Sequence, residues 1–262
     1  MKPPLTYYGG KQQLSKLILS LIPKHSLYCE PFFGGGAVYF SKTPSKLEII
    51  NDTNGELMNF YSVLKSDFKS LQKEIQVTLH SRKEHEHATV IFRHPELFTP
   101  VRRAWAVWVL ANQSFASKLN GSWGYDRVVN KSTRQLEGKR KSFTEELTKR
   151  IENTQIESTD AIEVIKTRDS KQAFFYCDPP YFNSHLGHYK KYTEKDFQDL
   201  LDALTRLKGK FLLSSYPSKL LSRYSKQNHW HTRKINMPVA MATHPEVKKK
   251  RKTEVLTANY PI

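Results

Sequence analysis

Cysteine is nearly missing from this chain: Cys29 and Cys177 are the two in 262 residues. That excludes a disulfide-stapled scaffold and suits a reducing cytoplasm, with both thiols read as small buried residues at strand ends. Long apolar runs are missing too. The longest, Ala104 to Ala111, falls far short of the roughly 20 residues a membrane helix needs, and the opening MKPPLTYYGG carries no apolar signal segment. No membrane role is expected. Acid is outnumbered, with 25 Asp+Glu against 42 Lys+Arg and a formal charge of +17. Such an excess favours polyanions, nucleic acid first and an anionic membrane surface second. An aromatic content of 12% excludes a disordered chain, so the basic residues decorate a folded body.

What is present alternates between strand and helix signals, the rhythm of an α/β sheet with parallel strands. LSKLILSLI (14–22) predicts a helix, SLYCEP (26–31) a strand, and the glycines after it lead into a helix near 35–42. KLEIIND (46–52) predicts a strand, and ELMNFYSVLKSDFKSLQKEI one long helix. The rhythm resumes with ENTQIEST, TDAIEVIKTR and AFFYC. TEKDFQDLLDALTRL then opens on Thr193 with Asp196 at capping-box spacing. GKFLLSSYP is the next strand, and HWHTRKINM with RKTEVLTANY a terminal antiparallel pair. Residues from about 71 to 145 break the pattern and read as an insertion: a tryptophan-bearing helix, RRAWAVWVLANQSF, and then a polar, glycine-dotted basic stretch. Trp105 and Trp108 fit one buried face of that helix better than a base-stacking platform.

Three stretches carry chemistry. YCEPFFGGG (28–36) and YCDPPYF (176–182) repeat one pattern, a strand ending in Tyr-Cys followed by acid, proline and aromatics. Parallel strands gather their C-termini on one edge, and ligands bind there where strand order reverses, so both ends are expected to face a common crevice. Gly34, Gly35 and Gly36 let backbone approach a ligand closely. Tyr39 stands where a dinucleotide fingerprint has its third glycine. Asp52, 16 residues past Gly36, stands near the spacing at which an acid accepts ribose hydroxyls. It either does that, for an adenosine-containing ligand without pyrophosphate, or caps the helix that starts near Asn54. TYYGGKQQL (6–14) turns on two glycines and places Lys11 at a helix start, where ammonium and amide groups attract a carboxylate.

FFYCDPPYF is the most specific signal. Adenine's amino nitrogen is a poor nucleophile because its lone pair is delocalised into the ring. Acceptors on its two hydrogens draw it toward a tetrahedral, reactive shape. The Asp178 carboxylate and the Pro179 carbonyl are such acceptors, neither Pro179 nor Pro180 has an N–H to compete, and Tyr181 can stack on the base. The other reading of these residues is a proline turn with a purely structural role.

In this order, YYGGK, EPFFGGG, NDTN and DPPY resemble the Dam-type (alpha group) DNA adenine-N6 methyltransferases over most of the chain. The resemblance implies an α/β, Rossmann-like S-adenosylmethionine-dependent methyltransferase fold. Residues 1–70 and 145–262 would form the catalytic domain and 71–144 an inserted, mainly helical target-recognition subdomain. It implies S-adenosyl-L-methionine as cofactor, double-stranded DNA as substrate, a flipped adenine as target, a cytoplasmic protein, and room for a restriction endonuclease partner. Carried over residue by residue, Asp178, Pro179, Pro180 and Tyr181 match the catalytic tetrapeptide. Tyr7 and Lys11 match positions beside the methionine part of the cofactor. Glu30, Phe32, Gly34 and Gly36 match the loop around it, Asp52 matches the ribose-binding acid, Asp160 sits where the family places residues near the cofactor's adenine, and Asp178 matches a position close to the cofactor as well. SKLNGSWGYDR (117–127) departs from the stretch that reads GATC in the best-known members.

Two rival readings use the same residues: an RNA adenine methyltransferase, and a DNA-binding protein with a non-catalytic cofactor pocket. His80, His85 and His87 tempt a metal reading, with 80 and 87 on one face if helical, but no cysteine or third ligand accompanies them, and no metal is expected. Lys190 and Lys191 after the tetrapeptide, and KKKRK (248–252), are either phosphate grips or solvated loops.

Overall fold

The computed structural model describes residues 1–183, 192–238 and 251–262. In chain order it contains α1 (Ser15–Leu21), β1 (Leu27–Glu30), α2 (Ala37–Ser41), β2 (Leu47–Asn51), α3 (Gly55–Ser66) and α4 (Phe68–Val77). Next come α5 (Arg82–Arg93), α6 (Pro100–Gln113), α7 (Lys131–Lys141), α8 (Glu145–Ile151), β3 (Thr154–Glu157) and α9 (Ala161–Arg168). The chain closes with β4 (Ala173–Cys177), α10 (Glu194–Thr205), β5 (Lys210–Ser215), α11 (Lys219–Gln227), β6 (His231–Pro238) and β7 (Arg251–Ala258). Lys190, Lys191 and Lys248 to Lys250 lie outside the described residues. No helix among the described residues is long and apolar enough to cross a membrane.

Two compact units divide the chain. One holds Met1–Ser20, Gly34–Pro44 and Asp52–Ser158; the other holds Leu21–Phe33, Ser45–Asn51 and Thr159–Ile262.

The second unit carries six of the seven strands, in the order β2-β1-β4-β5-β7-β6. β2, β1, β4 and β5 run parallel, with Leu27 opposite both Leu47 and Ala173, and Phe175 opposite Phe211. β7 is antiparallel to β5 and β6, and its pairing with β6 is the expected terminal antiparallel pair. All five residues of β4, AFFYC, are buried, which is why it reads as an unbroken apolar run: a central parallel strand is covered on both faces. The core beside it includes Phe175, Phe197, Leu201, Phe211 and Leu213. Thr193 and Asp196 form the expected capping box at the start of α10. α11 was not anticipated; its N-cap is Ser218, whose hydroxyl accepts the Leu221 N–H at 3.0 Å. From β1 the chain steps to β2 on one side and later to β4 on the other, so strand order reverses between β1 and β4.

The first unit is mainly helical. α6 is its centre, with Trp105 and Trp108 buried as expected and the Trp105 indole donating to Thr78 Oγ1 at 2.8 Å. The predicted long helix over 56–75 is two helices. Asp67 leaves the helical region (φ −144°, ψ 53°) and its side chain accepts the Ser70 N–H, capping α4. Apolar periodicity continues across the break, so it hid the cap. Tyr39, at the place of the missing third glycine, is fully buried in α2; its hydroxyl reaches the Arg150 carbonyl at 2.9 Å and Thr154 Oγ1 at 2.6 Å. Tyr39→Phe is therefore expected to strand two buried partners and lower unfolding free energy by about 1–3 kcal/mol. A denaturant midpoint shifted down at constant slope is the expected result, and an unchanged midpoint would show the hydroxyl idle.

Candidate active site

Within the second unit, Asp178 stands one residue past β4, on the side where strand order reverses. Pro179 is buried and Pro180 half-buried, and the ladder stops there because neither has an N–H to extend it. Tyr181 turns back. Its hydroxyl lies 3.2 Å from Asp178 Oδ1 and in a very short contact with Glu254 Oε1 on β7. Its ring meets that of Tyr216, just past β5, edge to face with centroids 4.4 Å apart. Burial, then the charges of Asp178 and Glu254, push the Tyr181 phenol well above its ordinary range, so it stays protonated and acts as a donor. Pro180, Tyr181, Phe182, Asn183, Phe197, Ser215 and Tyr216 line a shallow depression.

Glu30, at the end of β1, is buried and accepts the Tyr28 hydroxyl at 2.6 Å. Phe32 is partly buried against the core of this unit. Asp160 is the N-cap of α9, and its Oδ1 accepts the N–H groups of Ile162 and Glu163.

The first unit holds the glycine turn. Gly34 and Gly36 both have left-handed φ, +50° and +64°, and Gly36 is the N-cap of α2. Tyr7 lies on this turn. A Cβ on Gly34 would sit 3.1 Å from the Tyr7 ring, and one on Gly35 2.7 Å from Tyr7 Cβ, so no side chain fits there. Asp52 Oδ2 accepts the Gly34 N–H and Oδ1 the Asn54 N–H, each at 3.0 Å. The cap of α3 is Asn54, whose side chain accepts Glu56 N–H and Leu57 N–H. Asp52 therefore does not cap that helix; it ties the glycine turn to the residues after β2. Burial raises its carboxyl above the ordinary range, against the pull of those two N–H bonds. A carboxylate has about four acceptor sites, and these bonds use two, so the group retains capacity for hydroxyl donors.

Lys11 is not at a helix start. α1 begins at Ser15 after an intervening turn, and Lys11 Nζ donates to the Gly9 carbonyl at 3.3 Å. The histidines also separate. His80 precedes α5 and tilts over Trp123, His85 is buried and bonded to Ser114 Oγ at 2.8 Å, and His87 is exposed. Among the described residues no group of three or more His, Cys, Asp or Glu is arranged to hold a metal ion.

The stretch 114–127 folds back on itself in the first unit. Ser114 bridges Trp123, and Phe115 N–H donates to the Ser122 carbonyl at 2.7 Å. Trp123 stacks on Tyr125, and the Arg82 guanidinium lies 4.9 Å from its ring centre. Phe115, Tyr125, Arg127, Val128 and Lys131 are exposed around it.

Sequence reading missed Glu254, Tyr216 and Asn51. Asn51 is fully buried at the end of β2; its amide donates to the Pro31 and Thr159 carbonyls, and its oxygen accepts Thr159 N–H. The available signal was polarity out of place: an acid inside the apolar strand TEVLTA, and an amide ending LEIIN.

Known proteins are similar to this chain. A Type II methyltransferase of Lactococcus lactis subsp. cremoris, M1.LlaDCHI, is 28% identical over 245 residues, covering 85% of this chain and 83% of its own. A second, M.MjaIII of Methanocaldococcus jannaschii, is 29% identical over 227 residues, 76% of each chain. The DNA N-6-adenine-methyltransferase of Escherichia phage P1 matches a shorter stretch, 38% identical over 63 residues, 24% of this chain and 8% of that protein. The family model described as D12 class N6 adenine-specific DNA methyltransferase matches residues 7–253, nearly the whole chain, with both the glycine turn and the Asp178–Tyr181 tetrapeptide inside it. The chain belongs to the D12 class of N6 adenine-specific DNA methyltransferases.

Proposed function

We propose that this chain methylates the exocyclic amine of an adenine flipped out of double-stranded DNA, with S-adenosyl-L-methionine as donor. Site-specific methylation of DNA adenine follows from the family; the donor's identity, the flipping and the residue roles are the proposal. The observation that carries it is the arrest of β4 at the strand-order reversal, with Asp178, two prolines and a protonated Tyr181 side by side.

Basic side chains neutralise phosphates, a salt-dependent term that fits the charge of +17. Inside a duplex the amine cannot be reached, and extruding the base costs a few kcal/mol. The Asp178 carboxylate and Pro179 carbonyl accept hydrogen bonds from the amine's two N–H groups and shape its lone pair for attack, and the proton the nitrogen sheds on methylation would leave through the Asp178 carboxylate. Tyr181 supplies an aromatic face, and because its phenol is held protonated it takes no proton from the amine. When bound, the donor supplies an electrophilic methyl on a cationic sulfonium, which needs no metal. Tyr7, the 34–36 turn and Asp52 would hold it on the family pattern, and Asp52 keeps acceptor capacity for its hydroxyls. Lys11, Glu30, Phe32 and Asp160 are assigned to the same site on the family pattern. Residues 1–70 and 145–262 serve as the catalytic part and 71–144 as the target-recognition part, with the exposed aromatics and cations around Trp123 as its DNA-facing element. The class named for two relatives, Type II methyltransferase, supports a restriction endonuclease partner and a cytoplasmic location beside genomic DNA.

Asp178→Ala is expected to cut turnover by about 10²-fold or more, the range for losing a positioned polar group, with DNA affinity within about threefold of wild type. Radiolabel transfer and a gel-shift titration read the two quantities, and near-normal transfer would remove Asp178 from its role. Asp52→Ala is expected to weaken binding of sinefungin, which lacks a transferable methyl, by about tenfold or more, since bonds to charged groups contribute about 1.5–3 kcal/mol. Calorimetric affinity equal to wild type would move the donor away from Asp52.

A further inference from the structure

Tyr181 is held by more than the tetrapeptide it belongs to. Its ring packs edge-on against Tyr216, and its hydroxyl faces Asp178 on one side and Glu254 on the other. Glu254 comes from β7, which runs antiparallel to β5 with Val255 opposite Ser215. An antiparallel strand begins at the edge where its parallel neighbours end. The early residues of β7 therefore share an edge with the residues that follow β4 and β5. Glu254 is 1% exposed in a strand otherwise built of Thr, Val, Leu and Ala at its buried positions. Burying a carboxylate is costly unless donors meet it, and the Tyr181 hydroxyl is one that does.

A phenol has one proton, and Tyr181 stands between two carboxylates. Of the two contacts, the one to Glu254 is the closer. When the phenol O–H points at Glu254, it does not occupy Asp178 Oδ1, the oxygen assigned to the adenine amine. The same bond fixes the ring that faces the base. We infer that Glu254 is a positioning residue for methyl transfer: by accepting the hydrogen bond of the Tyr181 hydroxyl it sets the ring's orientation and draws that donor away from Asp178. This rests on the assignment of Asp178 and Tyr181 to the flipped adenine. Glu254 itself touches neither substrate nor donor in this scheme.

A double-mutant cycle between Glu254 and Tyr181 tests it, with kcat measured at saturating donor and duplex for wild type, Glu254→Ala, Tyr181→Phe and the double variant. Glu254→Ala is expected to lower kcat about tenfold, within the span for coupled neighbours, with KM for DNA within about twofold. In the Tyr181→Phe background the same change is expected to alter kcat by less than about twofold, because the bond it removes is already gone. Equal losses in both backgrounds, or no loss in the wild-type background, overturn the inference. Should Glu254→Ala fail to fold, Glu254→Met keeps the volume without an acceptor oxygen and carries the cycle by the same criterion. Asp178→Ala is assayed alongside. Full turnover by that variant sinks the underlying assignment, whereas an inactive Asp178→Ala with additive Glu254 effects sinks only the role of Glu254.

Discussion

The point at which β4 stops governs the second unit. A central parallel strand must pair on both sides and hide both faces, and AFFYC does so along its whole length. Two prolines then make further pairing impossible. Because the sheet reverses its order beside this strand, the stop falls where open α/β sheets bind ligands. Asp178 stands at the edge, and Tyr181 has to fold back. It does so onto Tyr216 and Glu254, which the neighbouring strands bring to the same edge. Remove the stop, and neither the carboxylate nor the phenol has a reason to be there.

The glycine turn in the first unit obeys a related rule. Gly34 and Gly36 adopt conformations that side chains avoid, and Tyr7 occupies the space a Cβ would need. Asp52 holds the turn through the Gly34 N–H while its other oxygen holds Asn54. One acid thus does two things: it shapes the backbone and retains acceptor sites for hydroxyls. The Tyr61 hydroxyl adds a bond to the Gly34 carbonyl at 3.0 Å, so the turn is braced at both its donor and its acceptor.

Much of the fold was legible because it rests on local rules. The buried run AFFYC, the Thr193 capping box and the terminal antiparallel pair all announced themselves in pattern or spacing. What escaped were effects of tertiary origin. Asp67 splits a continuous apolar periodicity with one capping bond, which periodicity alone does not resolve. Lys11 sits four residues before its helix, because a turn that spacing could not reveal comes between. For the site, the tetrapeptide, the glycines and Asp52 could be picked out because each is an odd residue at a strand end. Glu254 and Asn51 could not: their partners lie far away in sequence, Tyr181 in one case and Pro31 and Thr159 in the other. An acid inside an apolar strand was the clue, and it gains meaning only once β7 is seen to start where β4 and β5 end.

The central claim is that these groups act on one atom, the exocyclic nitrogen of adenine in DNA. The most direct measurement incubates the purified protein with methyl-labelled S-adenosylmethionine and genomic DNA, then digests to nucleosides and identifies the labelled product by mass spectrometry. N6-methyldeoxyadenosine as the labelled nucleoside is the predicted result. Label on cytosine, label only when structured RNA replaces the DNA, or no label at all would contradict it.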